Sequence, residues 1–155
     1  MKKKIIFCFI AIFLFCINIL NAQMTMPQLQ AMYSKFLKDE GYQPSVDSDG
    51  DVVFKAEGRT FWIDIDDKDL ESFRIVYSNF WEIESLAEKL KVYEVLNYIN
   101  RTTKVAKVFL NSKEDDVSMD ANIFVNKPED FKLYFHRMLD LLLYEIREFR
   151  ELMNK

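Results

Sequence analysis

Two cysteines, three glycines, three prolines and one histidine are all that 155 residues contain of those types, and each scarcity excludes something. Both cysteines, Cys8 and Cys16, lie within one apolar block near the start, so a chain relieved of that block has neither disulfide nor thiolate and must hold its fold by packing alone. His136, the single histidine, has no cysteine to join it, which leaves a structural zinc site without ligands. Glycine and proline are sparse while 15% of residues are aromatic, a balance that excludes disorder and points to a well-filled core. Positive charge is also in deficit, with a formal net charge of −4 and no basic stripe. Phosphate binding draws most of its affinity from Lys and Arg displacing counterions, so nucleic acid is not an expected partner.

What is present begins with Lys2, Lys3 and Lys4, followed by the apolar block Ile5 to Leu20 and then Asn21, Ala22 and Gln23. A basic start, a short apolar run and a small residue before a polar segment make the pattern of a secretory signal peptide. The block is shorter than the roughly 20 residues a membrane span needs. Ala22 supplies the small residue for cleavage, although Leu20 is bulky for its position. Cys16 follows Phe15 rather than a small residue, so lipidation is not expected. The expectation is an exported chain, periplasmic or secreted, with no membrane attachment after cleavage; an uncleaved anchor is the alternative. Residues 1–22 would be removed, and residues 23–155 would form a single domain whose charge, less three lysines, falls to −7.

Within that domain, Thr25 and Gln28 form a capping box for a helix carrying Leu29, Met32, Tyr33, Phe36 and Leu37 on one face, and Gly41 ends it. Alternating runs follow: Val52, Phe54 and Ala56; Phe61, Ile63 and Ile65; and Phe73 to Tyr77. The Asp47 to Gly50 and Glu57 to Arg59 turns make these an antiparallel β meander. Ser78 and Asn79 interrupt the last run, where a break or bulge is expected. Ser85 and Glu88 cap a second helix with Leu86, Leu90, Tyr93, Leu96 and Ile99 inward, terminated near Asn100. A β hairpin from Lys104 to Val125 turns at Lys113 to Asp116 and places Val117, Met119, Ala121, Ile123 and Val125 on one face. A long C-terminal helix starts at Asn126 or Lys127, with Pro128 in its first turn and an apolar band from Phe131 to Met153. The fold class is therefore α+β, with helices packed on one face of the sheet.

No residue pattern carries convincing catalytic chemistry. Asp47, Asp49 and Asp51 with Gly50 miss both the glycine and the glutamate positions of a calcium loop, so a polar turn is expected. Asp64, Asp66, Asp67 and Asp69 could serve general acid and base work only in a cleft that separates their pKa values. A small envelope hydrolase using Asp64, Asp66 or His136 is the enzymatic alternative, and an envelope structural protein is a third. Asn100-Arg101-Thr102 matches a glycosylation acceptor, a pattern too common to weigh. More suggestive are Trp62, Val76, Phe109 and Phe124, which the alternation places on the sheet face away from the core. Exposed aromatic groups mark partner surfaces.

The segment Tyr93-Glu94-Val95-Leu96-Asn97-Tyr98-Ile99-Asn100, running into the Lys104 to Leu110 strand, then Asp116 to Val125 and the Phe131 and Phe135 helix, resembles the YbjN family of bacterial proteins. That family shares the fold of type III secretion chaperones. The resemblance implies a non-enzymatic domain without cofactors that binds protein or peptide, often as a homodimer, in a regulatory role. It covers nearly all of residues 23–155 in element order. The export signal departs from the cytoplasmic family pattern, so the fold carries over while a type III chaperone role does not.

Overall fold

Helix α1 (Met26–Asp39) forms where the capping chemistry directs it. The computed structural model describes residues 24–155; the segment expected to be a signal peptide, with Cys8 and Cys16, lies outside the described residues. The Thr25 N–H donates to Gln28 Oε1 at 2.8 Å, and the Met26 N–H donates to Asp67 Oδ2 at 3.3 Å, so two free donors of the first turn find acceptors. At the other end Gly41 adopts φ +88°, a left-handed conformation that costs glycine little. It allows Tyr42 N–H to reach the Leu37 carbonyl at 2.8 Å and Gly41 N–H the Lys38 carbonyl at 3.0 Å, a Schellman closure. Leu29, Tyr33 and Leu37 are buried.

The strands are β1 (Ser45–Val46), β2 (Val52–Ala56), β3 (Arg59–Ile63), β4 (Ser72–Glu82), β5 (Ala106–Leu110) and β6 (Asp116–Phe124). They form one antiparallel sheet in the order β1-β2-β3-β4-β6-β5. Glu57 and Gly58, both at positive φ, make the tight turn between β2 and β3. In the preceding turn Asp47 Oδ1 accepts the N–H groups of Asp49, Gly50 and Asp51. That acidic loop spends its first carboxylate on its own backbone.

The hairpin β5–β6 does not simply extend the meander. β6 inserts beside β4 and leaves β5 at the edge, so β4 and β5 run parallel with β6 between them. Helix α2 (Leu86–Thr102) makes the crossover that such a pair requires. The expected irregularity in β4 is present: register shifts between Tyr77, opposite Met119, and Trp81, opposite Val117, with Asn79 at φ +49°. The bulge lets Phe80 and Trp81 both meet the Phe149 ring.

Three boundaries or faces differ from expectation. In α2 the buried residues are Val92, Val95, Leu96 and Ile99, while Leu86 and Leu90 are exposed. The rotation follows from two anchors: Glu88 accepts the Trp81 indole N–H at 2.8 Å, and Asn100 pairs with both backbone groups of Val108 at 2.9 Å. Asn100 is thus an edge-strand clamp, and the helix runs on to Thr102. The closing helix is also divided, with a 3-10 turn at Pro128–Leu133 before helix α3 (Phe135–Met153). That turn drives Phe131, fully buried, against Tyr33, Phe36 and Phe73. All three helices contribute to one core on the inner sheet face.

Candidate functional site

α3 does not seal against the end of the sheet. Between the C-terminus of α2, the start of β5, the end of β6 and α3 lies a cleft of about 770 Å³, of a size suited to a side chain or small ligand. Its apolar surface comes from Val105, Ile123, Phe124, Tyr134, Met138 and Leu141. Phe124, the last residue of β6, is 84% exposed and stands at this cleft. Lys104, Arg137 and Asp140 add charge.

Glu145 also lines the cleft, although only 6% of its surface is exposed. Burial pushes its carboxyl pKa up, the nearby Thr103 hydroxyl pulls it down, and Glu148 raises it further. A carboxyl and a hydroxyl thus stand side by side in the lining of the cleft. Sequence reasoning passed over Glu145, yet a signal existed: it lies four positions after Leu141 and seven after Met138, on the apolar side of a helix.

The outer sheet face is less apolar than expected. Trp62 and Val76 are cross-strand partners, and both are half-buried. Asp120 stands opposite Val76, and Lys107 opposite Asp120. Phe109 faces Ser118, six positions along β6 from Phe124, or roughly 20 Å at 3.3 Å per residue. The four outward residues thus divide into Trp62 and Val76 on the central strands β3 and β4, Phe109 on the edge strand β5, and Phe124 at the cleft. Between Val76 and Phe124, Arg74 donates from Nε to Asp120 Oδ2 at 2.7 Å and from Nη1 to Asp64 Oδ2 at 3.1 Å. Burial pulls the Arg74 pKa down, but bonding and charge from Asp120 and then Asp64 outweigh it and leave it raised.

The acidic and histidine candidates are not brought together. Asp64 is tied to Arg74 on the outer face, and Asp66 Oδ1 accepts the Lys68 N–H within its own turn. His136 Nε2 lies 3.0 Å from Glu40 Oε2 on the helical side, beside the Phe36 and Phe135 rings. Asp51 accepts the Ile65 N–H at 2.9 Å and is raised in pKa by burial, against the pull of that bond. Among the described residues there is no group of three acids, histidines or cysteines placed to hold a metal ion.

With the geometry in place, likeness to known proteins adds the lineage. A family model described as "Putative bacterial sensory transduction regulator", YbjN, matches residues 31–133, two thirds of the chain. The chain belongs to the YbjN family. The match runs from the middle of α1 through the 3-10 turn, so the α3 wall of the cleft lies beyond it. No curated protein matches the chain. An uncharacterized protein from Methanothermobacter thermautotrophicus has a similar crystal structure, with a TM-score of 0.51 at 13% identity, covering 79% of this chain and 97% of that one. At that identity the likeness concerns the fold alone. The α+β architecture and the family therefore stand.

Proposed function

We propose that this YbjN-family chain is an exported, non-enzymatic binding domain that acts as an adaptor or regulator by engaging a protein or peptide. The observation that carries this reading is Phe124, a large aromatic side chain 84% exposed on a sheet strand, beside an apolar cleft. A rigid strand presents such a group without the entropy cost of ordering a loop, and exposed aromatic anchors dominate binding energy at protein contacts. Trp62 and Val76 form a second, flatter contact on the outer sheet face, with Phe109 apart from them on the edge strand β5. The partner is a second copy of the chain or a different polypeptide.

Export rests on the Lys2 to Lys4 start, the Ile5 to Leu20 block and Ala22. No helix among the described residues is long and apolar enough to cross a membrane. The hydrolase alternative requires Asp64 or Asp66 to work with His136, but Asp64 pairs with Arg74 on the outer sheet face, Asp66 bonds within its own turn, and His136 pairs with Glu40 on the helical side.

The test is capture of partners from the envelope fraction by the tagged chain, with Phe124→Ser and Trp62→Ser compared. Loss of a specific polypeptide, or of the dimer mass, in folded Phe124→Ser supports the reading. Capture and solution mass unchanged in both variants would remove this surface as the contact.

A further inference from the structure

Glu145 presents an unresolved electrostatic problem that a partner could resolve. A buried carboxylate is tolerated when it is paired or fully hydrogen-bonded. Among the described residues Glu145 belongs to no ion pair, and the group beside its carboxyl is the Thr103 hydroxyl. The cleft leading to it is walled by Ile123, Met138 and Leu141, with the Phe124 and Tyr134 rings also lining it. Such a site is apolar along its sides and anionic at one buried point, which matches a long aliphatic stem ending in a cation. The chain as a whole complements that charge, since residues 23–155 carry a formal −7.

We infer that the cleft receives a lysine or arginine side chain of a peptide partner, its stem lying along Met138 and Leu141 and its cation pairing with the Glu145 carboxylate. The proposal rests on the protein-binding reading above and specifies the partner's chemistry. Thr103 Oγ1, beside the Glu145 carboxyl, accepts a second hydrogen from the same cation. Phe124 and Tyr134 cover the stem and offer ring faces to the charge. Lys104 and Arg137, also in the cleft, belong to no ion pair among the described residues and are available to partner carbonyls or a flanking acid. Asp140 adds a second acid to the lining.

The experiment uses fluorescent acetylated and amidated peptide pools with a fixed central residue among randomised alanine and leucine flanks. The central residue is lysine, arginine, Nε-acetyl-lysine or glutamate. Binding to the chain is read by anisotropy, with n-butylamine as a competitor. The lysine and arginine pools are expected to bind at least tenfold more tightly than the acetyl-lysine pool, because acetylation keeps the stem and removes the charge. Glu145→Gln, which preserves shape, is expected to abolish that preference while circular dichroism shows an intact fold. Equal binding of lysine and acetyl-lysine pools, or no binding by any pool, overturns the inference. Competition by n-butylamine at the affinity of the whole peptide also overturns it, since the site would then serve small amines. If Phe124→Ser abolishes envelope capture while the pools show no charge preference, only this inference falls. If capture and solution mass survive both Phe124→Ser and Trp62→Ser, the underlying reading falls as well.

Discussion

Arg74 and Glu145 show how differently one fold treats two partly or wholly buried charges. Arg74 is satisfied by Asp120 and Asp64, and its removal would leave Asp120, 2% exposed, without a counter-charge. Arg74→Met should destabilise the domain by about 3 kcal/mol in urea unfolding, at the lower end for a broken buried pair because the guanidinium is partly exposed. Adding Asp120→Leu should recover most of that loss; failure to recover would mean that the outer face is held by packing rather than by charge. Glu145 has no such partner. Its folded pKa is raised, so its contribution to stability is greatest below the unfolded carboxyl pKa and is lost as pH rises through the folded value. Glu145→Gln should therefore raise the Tm relative to the parent at pH 7, with the gap closing on acidification towards pH 4. A parent Tm above that of the variant at pH 7 would show that Glu145 is structurally satisfied. Of these residues only Asp64 stood out in the sequence. The Arg74–Asp120 contact depends on the register of two strands 46 positions apart, which no local pattern encodes.

At the scale of elements, what chain-local chemistry controls was legible. Thr25 with Gln28, Gly41, the Glu57-Gly58 turn and the Ser78-Asn79 interruption all act over a few residues, and each fell where its chemistry places it. The face of α2 was not legible, because Leu86, Leu90 and Tyr93 form one apolar stripe while Val92, Val95 and Ile99 form another. Tertiary anchors choose between them: the Trp81 to Glu88 bond at the start and the Asn100 clamp near the end. Nor could the insertion of β6 between β4 and β5 be read, since a hairpin pattern fixes its own register and not its neighbour. Asn100→Ala should cost about 1–3 kcal/mol, the penalty for leaving buried backbone groups unmet. Amide exchange at Val108 should accelerate selectively, whereas unchanged exchange there would show that β5 holds its edge position without the clamp.

For the molecule as a whole, family and architecture agree, and the fold derives its stability from aromatic packing on one sheet face. Fully buried Phe54, Phe61, Phe73, Phe131, Phe135 and Phe149 supply by packing the cohesion that small disulfide-rich domains draw from covalent links. Phe131→Ala should cost about 3–5 kcal/mol in equilibrium unfolding, because it opens a cavity where α1, β4 and the 3-10 turn meet. The export proposal is tested by intact-mass measurement on chain recovered from a host with a signal peptidase, where the product should begin at or near Gln23. Recovery of full-length chain from the cytoplasm alone would contradict it. The cleft itself was invisible in the sequence, being formed by segments that meet only through the fold, although Phe124 had marked one of its edges.

The most direct measurement replaces Phe124 by a photo-crosslinking phenylalanine analogue and irradiates cells producing the full chain, with the same analogue at Leu86 as an equally solvent-facing control. Leu86 is 74% exposed at the far end of α2 from the cleft. The account predicts a discrete adduct of higher mass in the envelope fraction from position 124 and none from position 86. No adduct from position 124, or the same adduct from both positions, would contradict it.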